Sequence, residues 1–245
     1  MKRIIDVNLT IGCRDHAGKL IDLPHMLALM EDYRIDTGVC YHQHAIMDPK
    51  SGNAKMAELA QKSNGKLQVC AVLDPILGPD NLPGEGTLQQ RLAAFRPACV
   101  RVFPSIVRLP FHEFYWQPIL EAADVLKLPM IVDCDYPDDF FCNIPDISAR
   151  YRHIKFVLVR QGCCQGRRIL PLLQKRANVY FTIERMLDNL QLEEIEEKCG
   201  CDRLLFGSGF PERPHSGALG LVLYANITEA NREKILSKNW EVMAP

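Results

Sequence analysis

Eight short apolar runs, each followed by a polar loop and then by a stretch with helical spacing, divide the chain along its whole length. Unbroken apolar runs of this kind are typical of parallel strands that are buried on both faces. Strands that alternate with helices predict a parallel sheet with crossover helices. Eight such repeats in 245 residues, with no visible linker, favour a single (β/α)8 TIM barrel over an open doubly wound sheet. The sequence therefore predicts one domain over residues 1–245, with strands at 4–9, 37–44, 67–73, 99–103, 130–134, 156–159, 179–182 and 204–206.

The helix predictions rest on capping residues and on apolar spacing. Asp22 and Thr228 are predicted N-caps, and Pro24 fits the first turn after Asp22. The helix after Thr228 is expected to turn Ile235 and Leu236 inward. Further helices are predicted after Gly52, near Ile147 and Tyr151, and at residues 88–95, 119–126, 168–175 and 190–198.

The amino-acid composition argues against nucleic acid and membranes as partners. Hydrophobic residues make up 47% and charged residues 24% of the chain, which is ordinary for a globular protein. The 29 basic and 30 acidic residues are interspersed, so we expect no nucleic-acid partner. The sequence has neither an 18-residue apolar stretch nor a signal-like start, so we expect no membrane association and a cytoplasmic location. Several of the ten cysteines, such as Cys70, Cys99 and Cys134, lie in apolar runs, where a reduced thiol behaves as a small hydrophobe.

Polar residues gather where the predicted strands end. In a barrel of this kind the active site lies at the carboxyl ends of the strands. Side chains of both charges converge there, which suits a small anionic ligand. Arg101 and Arg160 could each bind a carboxylate or phosphate with two hydrogen bonds. The alternative is that Arg101, Arg160 and two acids, Asp133 and Glu184, pair with one another as a structural network. The full set of candidates is Asn8, Thr10, His42, His44, Asp74, Arg101, Ser105, Asp133, Asp135, Arg160, Gln161, Glu184, Arg185, Ser208 and Glu212.

Three local patterns have both a chemical and an ordinary interpretation. His42 and His44 lie two residues apart on one predicted strand end, so with Asp74, Asp133 or Asp135 they could bind a divalent ion, or they could make ordinary hydrogen bonds. Cys163 precedes two arginines and is either a low-pKa thiol or a plain free cysteine. Ser208 lacks the G-x-S-x-G context of a nucleophile, so we expect it to serve loop geometry and to offer one hydrogen bond to a ligand.

Several motifs together resemble one family. Residues 203–211 read R-L-L-F-G-S-G-F-P, and residues 4–10 read I-I-D-V-N-L-T. These resemble R-L-L-F-G-S-D-F-P and I-I-D-x-H-x-H in the amidohydrolase-related (amidohydrolase 2) branch of the metal-dependent amidohydrolase superfamily. Residues 127–133, 156–162 and 227–239 resemble its fifth strand, sixth strand and closing helix, so the resemblance covers most of the chain.

The resemblance implies a barrel and either hydrolysis or decarboxylation, but the family's metal ligands do not carry over. They correspond here to Asn8, Thr10, Asp133, Arg160 and Gly209. Zinc needs three or four His, Cys or carboxylate ligands at close range, and Arg160 would put a fixed positive charge at the site. We therefore expect no divalent-metal cofactor and no metal-dependent mechanism.

The first hypothesis is a barrel with a degenerate metal site that binds a small anionic metabolite or acts on it by a metal-independent step. Asp133 or Glu184 would be the general base. Substrate contacts would come from Asn8, Thr10, His42, His44, Arg101, Asp135, Arg160 and Ser208. The second hypothesis is a non-catalytic binding or oligomerisation scaffold. It predicts that the charged side chains at the carboxyl ends of the strands pair with one another and leave no room for a ligand. The third is a metallohydrolase with ligands relocated to His42 and His44.

The family's tendency to pair also suggests a homodimer, with Trp116 and Trp240 as contacts. The aromatic cluster of residues 111–116 is either a lid, a dimer contact or simple packing of the fourth crossover.

Overall fold

Eight parallel strands form one sheet in the order of the chain, as the sequence predicts. The computed structural model describes residues 3–134, 137–161 and 165–244. Every strand pairs in parallel with the next one, and helices alternate with the strands, so the fold is a (β/α)8 TIM barrel. The strands are β1 (Ile5–Ile11), β2 (Thr37–His42), β3 (Leu67–Val72), β4 (Cys99–Val102), β5 (Met130–Asp133), β6 (Phe156–Val159), β7 (Val179–Thr182) and β8 (Leu204–Leu205).

The barrel closes between β1 and the segment that follows β8. The Val7 N–H donates to the carbonyl of Phe206 at 3.0 Å, and the Thr10 N–H donates to that of Phe210 at 2.9 Å. Gly209 returns the contact by donating to the carbonyl of Asn8 at 3.1 Å. This closure places the loop after β8 directly beside the carboxyl end of β1.

Helices cover the outside of the strands. Asp22 and Thr228 are N-caps as predicted, accepting hydrogen bonds from the backbone of His25 (3.0 Å) and Asn231 (3.4 Å). A π-helical turn (Lys234–Lys238) joins the last two helices, and Ile235 and Leu236 within it are buried as predicted. The helices are α1 (Leu23–Asp32), α2 (Pro49–Lys62), α3 (Leu88–Phe95), α4 (Pro104–Val107), α5 (Glu113–Leu126), α6 (Pro137–Arg150), α7 (Gly166–Lys175), α8 (Gln191–Cys199), α9 (His215–Tyr224), α10 (Glu229–Glu233) and α11 (Asn239–Met243).

Element boundaries differ from the predictions where capping overrides periodicity. α2 begins at Pro49 rather than after Gly52, because the Asp48 side chain accepts a hydrogen bond from the Ser51 N–H at 3.1 Å. β2 ends at His42 rather than at residue 44, since residues 43–46 form a 3₁₀ turn. α6 is a 14-residue helix rather than a short one. α9 was not predicted, because its sequence is apolar without a polar face and contains two glycines.

Both tryptophans belong to the interior, so the prediction that they form dimer contacts is wrong. Trp116 and Trp240 are 0% and 2% exposed. Their indole N–H groups donate within the chain, to the Pro110 carbonyl and to the Gln68 side chain, at 3.0 Å each. An indole that is buried and hydrogen-bonded in one chain offers no surface to a second copy.

The rest of the aromatic cluster divides between core and surface. Phe111 is buried and packs against Trp116 with ring centroids 5.8 Å apart, whereas the Phe114 side chain is 78% exposed. Cys70, Cys99 and Cys134 are buried thiols, as expected of small hydrophobes. No helix in the described residues is long and apolar enough to cross a membrane.

Candidate functional site

A cavity of about 340 Å³ opens at the carboxyl ends of the strands, where the barrel rule places an active site. Its volume suits a small ligand. Five residues of the predicted candidate set line it, namely Asn8, Thr10, Arg101, Arg160 and Glu212. The other lining residues are Cys13, Arg14, Asp15, His16, Tyr41, Gln43, Gly209 and Pro211.

Arg101, at the end of β4, forms the cationic floor of the cavity. Its side chain is 2% exposed. One terminal nitrogen donates to Asn8 Oδ1 at 2.7 Å and the other donates to Asp133 Oδ2 at 3.0 Å. The guanidinium also lies 4.6 Å from the centre of the Tyr41 ring. A buried guanidinium is costly unless it is paired, so these contacts hold Arg101 in one position.

Glu184, in the loop after β7, orients the amide of Asn8. Glu184 Oε1 accepts a hydrogen bond from Asn8 Nδ2 at 3.2 Å and another from the Arg160 N–H at 3.1 Å. The Asn8 amide group is therefore fixed with its nitrogen toward Glu184 and its oxygen toward Arg101. Burial raises the pKa of Glu184, while hydrogen bonds from the Thr182 hydroxyl and the Arg160 N–H oppose that rise.

A second group of charges surrounds Arg160, which follows β6. Its two terminal nitrogens lie 3.0 and 3.2 Å from the two carboxylate oxygens of Glu212, which is a bidentate arrangement. Arg185 reaches the same carboxylate at 3.2 Å. The Arg160 Nε lies 3.7 Å from Asp133 Oδ1, and this contact connects the group to the floor. Charged and amide side chains thus form a continuous chain from Glu184 to Arg185.

The two predicted general bases lie behind the arginines. Asp133 and Glu184 are 2% and 5% exposed, and neither is among the residues that line the cavity. The predicted mutual pairing is present for Arg101, Asp133 and Arg160, whereas Glu184 contacts the Asn8 amide and the backbone of Arg160. The scaffold hypothesis also expects no room for a ligand, whereas a cavity is present above the paired charges.

His42 and His44 do not line the cavity. His42 Nδ1 accepts a hydrogen bond from the His44 N–H at 3.1 Å, and the imidazole of His42 packs against the backbone of Gly12. The His44 imidazole is exposed and lies 3.7 Å from Asp48. These contacts are the ordinary alternative that the sequence left open for the pair.

Ser208 supports the loop after β8 rather than facing the cavity. It is 1% exposed, its N–H donates to Asp6 Oδ1 at 3.0 Å, and its Oγ accepts from the Phe210 N–H at 3.1 Å. This agrees with the expectation that Ser208 serves loop geometry. Asp135 and Cys163 lie outside the described residues.

Two of the residues that match the family's metal ligands bind the guanidinium of Arg101 instead. They are Asn8 and Asp133, and Arg101 lies between them. Gly209 adopts φ +74° and contributes only its backbone. Over residues 3–134, 137–161 and 165–244, no group of three or more His, Cys, Asp or Glu side chains could hold a metal ion.

A short hairpin after β1 forms the wall of the cavity that faces the β8 loop, where the sequence predicts only a polar loop. The Gly12 N–H donates to the Ile21 carbonyl at 2.9 Å, and the Ile21 N–H donates to the Cys13 carbonyl at 2.8 Å. His16, near its tip, hydrogen-bonds through Nε2 to the Glu212 carbonyl at 2.8 Å. The run Arg14-Asp15-His16 beside a strand end was the signal that could have identified it.

Beneath the site, Asp6 joins β1 to the β8 loop. Asp6 Oδ1 accepts from the N–H groups of Asn8 and Ser208, both at 3.0 Å. Burial raises the pKa of Asp6 to about 6, although its hydrogen bonds to Ser208 and Asn8 oppose the rise. His215 lies 3.8 Å away, stacked between Tyr33 and Phe210, and burial lowers its pKa to about 4. The two hydrogen bonds to Asp6 Oδ1 thus hold the backbone of Asn8, from which its side chain reaches Arg101.

Comparison with solved structures identifies barrels of the same architecture. An amidohydrolase II matches with 18% identity and a TM-score of 0.76, covering 98% of this chain and 99% of that one. A 2,6-dihydroxybenzoate decarboxylase in complex with 2,6-dihydroxybenzoate matches with 16% identity and a TM-score of 0.72, covering 99% of each chain. This chain shares the (β/α)8 barrel fold of these structures. At these identities the similarity shows the fold alone, which is the barrel that the motif resemblance implies.

A third structure extends the comparison. The 5-carboxyvanillate decarboxylase from Sphingomonas paucimobilis matches with 12% identity and a TM-score of 0.74, covering 100% of this chain and 99% of that one. No family's sequence model and no curated protein match the chain.

Proposed function

We propose that this protein binds a small carboxylate-bearing molecule in the cavity at the barrel mouth, with Arg160 and Arg101 supplying the positive charge. The observation that carries the proposal is the room that remains above the paired charges, a cavity of about 340 Å³ with both arginines in its lining. A pure scaffold has no need of such a space. Arginine suits this task because its planar fork matches the geometry of a carboxylate.

The similar structures support this class of ligand. The two decarboxylases are named for 2,6-dihydroxybenzoate and 5-carboxyvanillate, both aromatic carboxylates. Here Tyr41 and Pro211 add apolar surface to the lining, next to the polar groups of Asn8 and Thr10. A carboxylate on a small ring would place its charge on the arginines and its ring against this surface.

The proposed site works without a metal ion, because the side chains present do not fit one. Asn8 and Thr10 are weak ligands, Gly209 offers no side chain, and Asp133 is engaged by Arg101. Arg101 and Arg160 place fixed positive charge where a divalent cation would have to sit. The guanidinium groups of Arg101 and Arg160 would bind the ligand's carboxylate in place of a metal ion.

A second candidate function is a metal-independent decarboxylation or hydrolysis of the bound ligand. It is favoured by the burial of Glu184 behind the cavity floor, which raises the pKa of that carboxyl, as is common for acids and bases at catalytic sites. Glu184 does not line the cavity, so its role would be to position the Asn8 amide, to which it is hydrogen-bonded. Release of carbon dioxide or of a hydrolysed product from a bound carboxylate would distinguish this function from binding alone.

Calorimetric titration with 2,6-dihydroxybenzoate and with resorcinol, which lacks the carboxylate, tests the binding proposal. We expect the acid to bind and resorcinol not to bind. Arg160→Gln should weaken binding of the acid roughly ten- to hundredfold, since it removes a charged hydrogen-bonding partner. Arg150→Gln, which alters an arginine in a separate ion pair with Glu113, is the matched control and should leave the affinity unchanged. Equal binding of the two compounds, or unchanged affinity of Arg160→Gln for the acid, would contradict the proposal.

A further inference from the structure

We propose that Glu212 occupies the ligand's carboxylate subsite, and that a bound ligand displaces its side chain from Arg160. This inference rests on the proposed carboxylate binding and adds where the carboxylate lies and what it competes with. It makes Glu212 a residue that sets affinity and charge selectivity without being buried in the network.

The contact between Glu212 and Arg160 has the geometry of a bound ligand. Both carboxylate oxygens face the terminal nitrogens of Arg160, at 3.0 and 3.2 Å, and one of them is shared with Arg185 at 3.2 Å. Glu212 and Arg160 both line the cavity. A ligand carboxylate that approaches Arg160 from the cavity therefore meets a fork already filled by a carboxylate of the chain.

Glu212 differs from the buried acid Asp133 because its side chain is partly exposed and has room to move away from Arg160. Its side chain is 46% exposed, whereas that of Asp133 is 1% exposed. The backbone near Glu212 is held independently, because His16 bonds to its carbonyl oxygen rather than to its carboxylate. The side chain can therefore rotate into solvent while the loop after β8 keeps its place.

The exchange conserves charge at Arg160 and Arg185. One carboxylate leaves and one arrives, so neither guanidinium loses its counter-charge when the ligand binds. A neutral molecule that displaced Glu212 would take a carboxylate away from both arginines and supply none in its place. The subsite should consequently select carboxylates over their amides or alcohols.

Removal of the charge on Glu212 should tighten ligand binding, which is the opposite of what truncation of a ligand-contacting residue does. We expect Glu212→Gln to bind 2,6-dihydroxybenzoate about two- to fivefold more tightly than the wild type, because a partly exposed ion pair competes only modestly. Glu212→Ala, which also removes the remaining hydrogen bond to Arg160, should show at least the same gain. Glu241→Gln is the matched control, since Glu241 forms an ion pair with Arg3 at 2.8 Å outside the cavity lining, and its affinity should not change.

The outcomes separate this inference from the proposed function. If the wild type binds the acid, Arg160→Gln loses it, and Glu212→Gln binds equally or more weakly, the subsite exists but Glu212 does not compete for it. If neither the wild type nor either Glu212 variant binds the acid, the carboxylate site itself is wrong. Thermal unfolding of each variant confirms that a change in affinity reflects the site rather than loss of the fold.

Discussion

Arg101 Nη1 donates to Asn8 Oδ1 at 2.7 Å, and this contact joins the end of β4 to the end of β1 under the cavity. The same Asn8 side chain donates to Glu184 at 3.2 Å, so one amide connects a buried cation to a buried acid. In the family that the sequence resembles, the position of Asn8 is a metal ligand. Here it is a connector between charges.

Replacement of Asn8 by alanine should destabilise the fold. The change leaves a terminal nitrogen of Arg101 without its acceptor, and it also takes a donor away from Glu184. We expect a loss of about 2–4 kcal/mol in the free energy of unfolding, because each charged group loses a hydrogen bond in a buried setting. Urea denaturation measures it, and Asn226→Ala at an exposed position should change the value by less than about 0.5 kcal/mol. Similar losses for both variants would mean that the Asn8 connector contributes nothing.

Asp6→Asn should change how stability depends on pH. The pKa of Asp6 is raised from 3.8 to about 6 in the folded protein, so between these values the folded state holds more protons than the unfolded state. Stability conferred by this group is therefore lost as pH rises through that window. Asparagine keeps an acceptor for the N–H groups of Asn8 and Ser208 but does not ionise. The stability of Asp6→Asn relative to the wild type should rise by about 1–3 kcal/mol between pH 4 and pH 7.5.

The neighbouring His215 changes the pH dependence of stability in the opposite direction. It is present in both the wild type and Asp6→Asn. Its pKa is lowered from 6.5 to about 4, so its contribution to stability is lost as pH falls through that window. Comparison of the variant with the wild type at each pH separates the Asp6 effect from it. A difference in stability that stays constant from pH 4 to pH 7.5 would contradict the raised pKa of Asp6.

Gly209→Asp should cost stability without creating a metal site. Gly209 has φ +74°, a conformation that strains other residues by about 1 kcal/mol, although an added Cβ would meet only ordinary contacts with Glu184 (3.6 Å) and Asn8 (3.7 Å). A new carboxylate beside Glu184 adds like-charge repulsion, so Gly209→Asp should be less stable than Gly209→Ala. Added zinc should not raise the unfolding temperature of either variant, since Asn8 and Thr10 remain poor ligands. A zinc-dependent gain specific to Gly209→Asp would show that the family's site is still nearly intact.

The sequence predicts the barrel well because each buried strand leaves a local trace. The runs at residues 156–159 and 179–182 match β6 and β7 to the residue, since apolar residues bounded by breakers need no tertiary information. Trp116 and Trp240 were misplaced because the burial of an aromatic side chain depends on which elements pack over it. α9 was missed for the related reason that it has no polar face.

The site was predicted in part. The strand-end rule identifies Arg101, Arg160 and Glu212 as neighbours, but it cannot say which atoms pair. The bidentate contact between Glu212 and Arg160 depends on the path of the loop after β8 and on the left-handed φ of Arg160, +57°. Neither follows from hydrophobic periodicity. The hairpin that carries His16 was missed because loops of this kind are held by backbone hydrogen bonds that periodicity does not encode.

The most direct test of the account is a titration of chelator-treated, metal-free protein with 2,6-dihydroxybenzoate, repeated after addition of zinc or manganese. We expect the same affinity in all three cases, because Arg101 and Arg160 supply the positive charge. Binding that appears only after a metal is added would contradict it and would return the chain to the metal-dependent chemistry of the family it resembles.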